Sequence, residues 1–126
     1  MDAFLIEDSP VIRQRLIPML SAMAHVRVVG MADSESEAWH WLERNVVDVV
    51  LLDLALRQGS GFGLLQRLQA TGAAARIRVV LTNHATDDMR ARCQRLGATA
   101  FFDKSRELEA LFAYLRIQGA SPADVF

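Results

Sequence analysis

The chain has 126 residues, 52% of them hydrophobic, which is enough for one domain with a real core and too little for two. A formal net charge of −1 excludes a basic footprint for nucleic acid and a polybasic membrane patch. A single cysteine, Cys93, excludes an internal disulfide and a cysteine-based zinc site, and fits a reducing compartment. The N-terminal MDAFLIEDSP lacks the basic and apolar regions of a signal peptide. No run approaches the ~18 apolar residues of a membrane-spanning helix. The expected address is the cytoplasm.

Apolar runs and helical patterns alternate along the chain. Ala3–Ile6 reads as a short buried strand. Ser9 then caps a helix with Pro10 at its first position, and Ile12, Leu16, Met19, Leu20 and Met23 keep helical spacing along it. Pro18 should bend that helix. Val26–Ala32 is the second strand. Ser34 and Glu37 form a capping box that opens the second helix. Val47–Leu54, the most apolar strand, runs into an acid, Asp53, near its end. RQGSG is a loop, and FGLLQRLQA a third helix. Ile77–Asn83 is the fourth strand. TDDMRARCQRLG is the fourth helix, acidic in its first turn and ended by Gly97. TAFFD is a fifth strand, and SRELEALFAYLRIQG a fifth helix with Leu108, Leu111, Phe112 and Leu115 on one face. Only GASPADVF reads as tail. Five βα units with near-continuous Val/Leu/Ile strands imply a parallel sheet covered by helices on both faces.

In such sheets, sites form beyond the carboxyl ends of the strands. Glu7 and Asp8 follow strand one, Asp53 follows strand three, Thr82 strand four, and Asp103 and Lys104 strand five. Asp33 follows strand two, which lies at the predicted sheet edge. Three carboxylates at close quarters repel one another and call for a cation. Hard oxygen ligands favour Mg2+, which also neutralises phosphoryl oxygens during transfer. Asp53 is then both a ligand and a candidate nucleophile able to form an acyl phosphate. Thr82 and Lys104 are placed to hold phosphoryl oxygens. Each residue alone has a plain alternative, since a single acid at a strand end ordinarily caps a helix. The four together at consecutive strand ends do not. Lys104 is the only lysine in a chain whose other basic residues are arginines. A compact ammonium fits a tight acidic pocket where a five-donor guanidinium does not.

These segments resemble the receiver domain of two-component response regulators. FLIEDSPVIR is similar to that family's acidic pair, VVLLDLALRQGSGFGLL to its phosphoacceptor segment, VVLTNHA to its Thr/Ser segment and GATAFFDKS to its lysine segment. The resemblance implies a flavodoxin-like (βα)5 doubly wound parallel sheet of strand order 2-1-3-4-5, with a receiver domain over 1–118 and a tail over 119–126. It implies Asp53 as phosphoacceptor, Asp8 as a direct Mg2+ ligand, Glu7 acting through water, and the Ala55 carbonyl as a further ligand. Thr82 and Lys104 would bind the phosphoryl group, and Phe101 would be the aromatic residue that turns inward on phosphorylation. Ala55 and His84 would flank the attacking water and tune dephosphorylation. A histidine kinase or phosphotransfer protein would be the donor. A downstream protein would dock on the surface of helix four, strand five and helix five, with neither direct nucleic-acid binding nor membrane insertion; whether that face also forms a homodimer on phosphorylation is left open by the sequence. The chain departs from the family pattern at Ser105, where proline with a cis bond is common. A trans bond is expected, with Ser105 capping the last helix.

Other residues read plainly. His25 and His40 are surface or helix-end residues, and Cys93 packs mid-helix. Trp39 and Trp41 cannot share a helix face. Arg90, Arg92 and Arg95 form a solvated face. Two other functions compete with a phosphorylation switch. A phosphatase of the haloacid dehalogenase type also uses aspartate, Mg2+, Thr/Ser and Lys, but its nucleophile follows the first strand in a DxD pattern. A receiver-like module that binds partners without phosphorylation would not need the intact Asp8, Asp53, Thr82 and Lys104 set. GSG at 59–61 is too weak a signal for a nucleotide or flavin site.

Overall fold

Strand residues of this chain alternate between two cores. Ala3, Leu5, Val49, Leu51, Ile77, Val79 and Leu81 face one side, while Phe4, Ile6, Val50, Leu52, Val80 and Phe101 face the other. That is the period-2 geometry of a sheet whose central strands are covered on both faces. A computed structural model describes residues 1–71, 75–83 and 85–119. In it the strands β1 (Asp2–Ile6), β2 (Arg27–Ala32), β3 (Val49–Leu52), β4 (Ile77–Thr82) and β5 (Ala100–Asp103) form one parallel sheet of order β2-β1-β3-β4-β5. The five helices are α1 (Pro10–Ala24), α2 (Glu35–Leu42), α3 (Gly61–Thr71), α4 (Asp87–Arg95) and α5 (Leu108–Gly119). Leu16, Leu20 and Ala24 of α1 with Leu111, Phe112 and Leu115 of α5 close the first core. Ala38 and Leu42 of α2, Leu64, Leu65 and Leu68 of α3, and Cys93 of α4 close the second. The expected flavodoxin-like doubly wound fold is therefore the observed one.

Local signals account for half of the helix ends. The Ser9 hydroxyl accepts the Ile12 N–H at 3.3 Å, with Pro10 at the first position, and His25 closes α1 in the left-handed region at φ 55°. The hydroxyls of Ser34 and Thr86 accept the third N–H of α2 and α4 in the same way. Gly97, at φ 94°, ends the α4 segment.

Three expectations are corrected. Ser105 does not cap α5, which begins at Leu108. Its N–H and hydroxyl both donate to the Asp103 carboxylate, at 2.8 and 2.6 Å, and the Glu107 carbonyl accepts the Leu111 N–H in the capping role. Met19 and Met23 keep helical spacing but lie on the outer side of α1, which buries Leu16, Leu20 and Ala24 instead. β2 is not buried on both faces, because it is an edge strand and leaves Val29 and Met31 exposed. The peptide bond before Ser105 is trans, as expected. Gly119, counted with the tail, is the last residue of α5, and residues 120–126 lie outside the described residues. No described helix is long and apolar enough to cross a membrane.

Candidate functional site

The sheet ladder itself brings the acidic and basic residues to one place. The Asp53 N–H donates to the Ile6 carbonyl at 3.0 Å, one residue past the paired ends of β1 and β3. The Glu7 N–H donates to Ala32 at 3.0 Å, and the Lys104 N–H to Thr82 at 2.9 Å. Each side chain therefore starts from backbone that the sheet holds. Lys104 Nζ donates to Asp53 Oδ2 at 2.7 Å and also to Glu7 Oε2. The other oxygens are occupied too: Glu7 Oε1 accepts the Ser9 N–H at 3.2 Å, and Asp53 Oδ1 the Ala55 N–H at 3.3 Å. Glu7 and Asp53 are buried, 2% and 6% exposed, and Asp8 sits half-buried beside them. One oxygen from each of Glu7, Asp8 and Asp53 lies within 4.8 Å of the others.

Burial sets the electrostatics of this cluster. Desolvation pushes the Glu7 carboxyl above its ordinary pKa, against the hydrogen bond and charge of Lys104. Desolvation opposes charge on Lys104 as well, but the bonds and charges of Asp53 and Glu7 together outweigh it and hold the ammonium above its usual pKa. The lysine is thus charged at neutral pH. The donor set is all oxygen and carries more acid than one lysine neutralises, so it fits a hard divalent cation such as Mg2+.

The loop after Asp53 is fastened to α2. The Glu35 N–H donates to the Gln58 carbonyl at 3.0 Å, and Glu35 Oε1 accepts the Ser60 N–H at 3.0 Å. Arg57 pairs with Asp33 at 2.9 Å. Gly61 lies against the backbone of Asp53 and Leu54, and its N–H donates to the Leu54 carbonyl at 3.0 Å. The hydrogen bond from Arg57, followed by its charge, pulls the Asp33 carboxyl down to about 2. A depressed aspartate contributes stability above its unfolded pKa and loses it as pH falls through the folded value. The Asp33 carboxyl carbon should therefore titrate by NMR near 2, and in Arg57→Gln move towards the ordinary value of about 3.9. An unchanged midpoint in the variant would mean that Arg57 does not hold the loop.

A family model for the response regulator receiver domain matches residues 3–116. The chain belongs to the response regulator receiver family. It is 29% identical over 122 residues to the nitrate/nitrite response regulator protein NarP of Escherichia coli, covering 97% of this chain and 56% of the relative. It is 31% identical over 101 residues to the DNA-binding transcriptional activator DevR/DosR of Mycobacterium tuberculosis, covering 80% and 46%. The chain thus spans about half the length of these relatives. Its fold is that of a LuxR-family DNA-binding response regulator from Staphylococcus aureus (TM-score 0.84, 16% identity, 94% and 98% of the two chains). The signal receiver domain of the putative response regulator NarL from Mycobacterium tuberculosis is similar (TM-score 0.81, 22% identity, 95% and 97%).

Within this receiver, Glu7, Asp8, Asp53 and Lys104 come together directly. Thr82 stands at the end of β4, 4% exposed, with its hydroxyl donated to the Asn83 carbonyl at 3.3 Å rather than to the acids. Ala55 forms an isolated bridge with Ser60 across the loop. Phe101 is buried, 7% exposed, in the core under α3 and α4. His84 lies outside the described residues. The sequence pattern singles out neither Glu35 nor Gly61, and Arg90 does lie on the exposed face expected of it. Arg90 is engaged: Nη1 donates to the Phe101 carbonyl at 2.8 Å, and its Cζ stands 4.7 Å from the ring centroid. The capping box did flag the start of α2. Nothing local tells that Glu35 reaches a loop more than twenty residues away.

Proposed function

We propose that this receiver is a phosphorylation switch whose acceptor is Asp53. The observation that carries this reading is the geometry around one carboxylate. Asp53 is buried, Lys104 Nζ is 2.7 Å from one of its oxygens, and carboxylate oxygens of Glu7 and Asp8 lie within 4.8 Å. In the transfer, an Asp53 oxygen attacks phosphorus, the P–N bond of a donor phosphohistidine protonated on its other ring nitrogen breaks, and its electron pair goes to the imidazole, which leaves neutral. The donor is a histidine kinase or a histidine phosphotransfer protein.

Asp8 and Asp53 would hold Mg2+ directly, with Glu7 acting through water and the Ala55 carbonyl as a further ligand. The ion would neutralise charge on the transferring oxygens. Lys104 moves from bridging two carboxylates to pairing with a phosphoryl oxygen. The Thr82 hydroxyl turns from the Asn83 carbonyl to donate to another. Those two movements give the second arrangement, with Phe101 as its buried reporter, and a partner protein at the α4-β5-α5 face reads it. Homodimerisation through that face is part of the same reading. Ala55 and His84 would tune the lifetime of the acyl phosphate. The receiver spans 1–118 and works in the cytoplasm. It is a switch with self-catalysed phosphorylation, not an enzyme acting on other substrates, and does not itself contact nucleic acid.

Incubation with acetyl phosphate and Mg2+, read by intact mass, tests this. Wild type should gain one phosphoryl group and Asp53→Ala none. A wild type that gains nothing, and whose spectrum beryllofluoride leaves unmoved, would point to a receiver that binds partners without phosphorylation.

A further inference from the structure

Arg90 of α4 makes three contacts at once. Nη1 donates to the Phe101 carbonyl at 2.8 Å, the guanidinium carbon stands 4.7 Å from the Phe101 ring centroid, and Nη2 pairs with Glu107 Oε1 at 3.3 Å. The same Glu107 oxygen accepts the Asp103 N–H at 3.0 Å. The Asp103 carboxylate in turn holds Ser105 through its N–H and hydroxyl, at 2.8 and 2.6 Å. Lys104 therefore projects from a turn whose residues on either side are fixed, and the fixing chain begins at Arg90. Beside it lies a cavity of about 220 Å3 lined by Arg90, Gln94, Ala98, Thr99, Ala100 and Phe101, which is room for the ring to shift.

We infer that Arg90 is a positioning residue: it latches Phe101 in its buried place and steadies the turn that aims Lys104 at Glu7 and Asp53, so that α4 and the acidic site move together. What the latch does for phosphoryl transfer rests on Asp53 being the acceptor; the latch itself does not. The exposed Arg90–Glu107 pair alone is weak. A charge-assisted bond to a main-chain carbonyl, a cation over a ring and an ion pair made by one planar group together define a single geometry. An ammonium has no fork and makes at most part of it. All three contacts share one guanidinium, so a movement of α4 that carries it away loses them together, which is what a two-position element requires.

The test uses 4-fluorophenylalanine in wild type, Arg90→Ala, Arg90→Lys and Glu107→Gln, with the Phe101 resonance assigned by Phe101→Leu. Amide exchange at Asp103 and Lys104 and the rate of acetyl phosphate labelling are measured alongside. In untreated Arg90→Ala the Phe101 resonance should move and broaden, and Asp103 should exchange about tenfold faster or more. Labelling should slow about fivefold. Arg90→Lys should recover part of each effect. Glu107→Gln should disturb Asp103 more than Phe101. Unchanged resonance and exchange in Arg90→Ala overturn the latch, whatever the chemistry at Asp53. A moved resonance with an unchanged labelling rate overturns its coupling to Lys104. A wild type that takes no phosphoryl group counts against the acceptor reading, and the fluorine and exchange readings of the untreated protein still decide the latch.

Discussion

Lys104→Met is expected to lower the unfolding free energy at pH 7 by about 3 kcal/mol, the cost of leaving a buried ionic cluster without one partner. The lysine side chain is 9% exposed, and those of Glu7 and Asp53 are 3% and 8% exposed, so little water is available to replace the ammonium. Without it, two buried carboxylates face each other with no cation between them. Glu7 is already pushed up by burial and would rise further. A carboxyl whose folded pKa is raised contributes stability that is complete below the unfolded pKa and is lost as pH rises through the folded value. The deficit against wild type should therefore be large at pH 7 and shrink as pH falls through the raised folded pKa of Glu7. Urea unfolding across that range measures it. Added Mg2+ should restore more stability to the variant than to wild type, because the ion takes the place of the missing positive charge. A variant as stable as wild type at pH 7 would mean that the carboxylates are solvated and the cluster is not a closed one. Lys104→Arg separates charge from shape. One ammonium nitrogen serves both Asp53 and Glu7, and a planar guanidinium does not place a single atom there. That is the physical case for a lone lysine among arginines.

The parts of this site that were readable in the sequence are those fixed by topology. Once Val49–Leu52, Ala3–Ile6, Ile77–Thr82 and the β5 run are strands of one parallel sheet, their following residues must meet at one edge. Glu7, Asp8, Asp53 and Lys104 then converge without any knowledge of side-chain packing. Apolar runs report burial rather than pairing, which is why β3 read as Val47–Leu54. Val47 and Leu54 are buried, 6% and 5% exposed, yet stand outside the strand. The start of α5 was misplaced because a serine before a helical pattern looks like a cap. The competing acceptor, the Asp103 carboxylate, is itself a local feature whose preference for Ser105 only the folded turn reveals. Arg90 and Glu35 were unreadable for a stronger reason. A charged residue on a helix surface has the same sequence signature whether it faces water or a neighbouring element, and contacts across the fold decide between the two.

Gly61→Ala is expected to lose about 2 kcal/mol of stability and to slow labelling of Asp53 about tenfold or more. A Cβ at this position would stand 2.3 Å from the Asp53 carbonyl oxygen and 2.8 Å from Leu54 Cα. Both are main-chain atoms, and both belong to the segment that carries the acceptor. They cannot swing aside as a side-chain tip does. Either α3 retreats, opening the core beneath Leu64 and Leu65, or the Asp53 backbone moves, breaking the alignment of its carboxylate with Lys104 and the acids. The first route shows as lost stability, the second as lost rate, and the crowding is severe enough to expect both. Gly63→Ala is the control. There the nearest atoms to the new methyl belong to the Glu35 carboxylate, whose Oε1 would be 2.5 Å away, and that group can rotate off at the loss of its bond to the Ser60 N–H. Alanine in place of glycine within α3 returns up to about 1 kcal/mol of helix propensity, which offsets part of the lost Glu35–Ser60 bond, so Gly63→Ala should cost less stability and slow labelling less than Gly61→Ala. Equal behaviour of the two variants would mean that Gly61 serves only the helix. A selective loss in Gly61→Ala would establish that the close approach of α3 to the Asp53 backbone sets the acceptor's position.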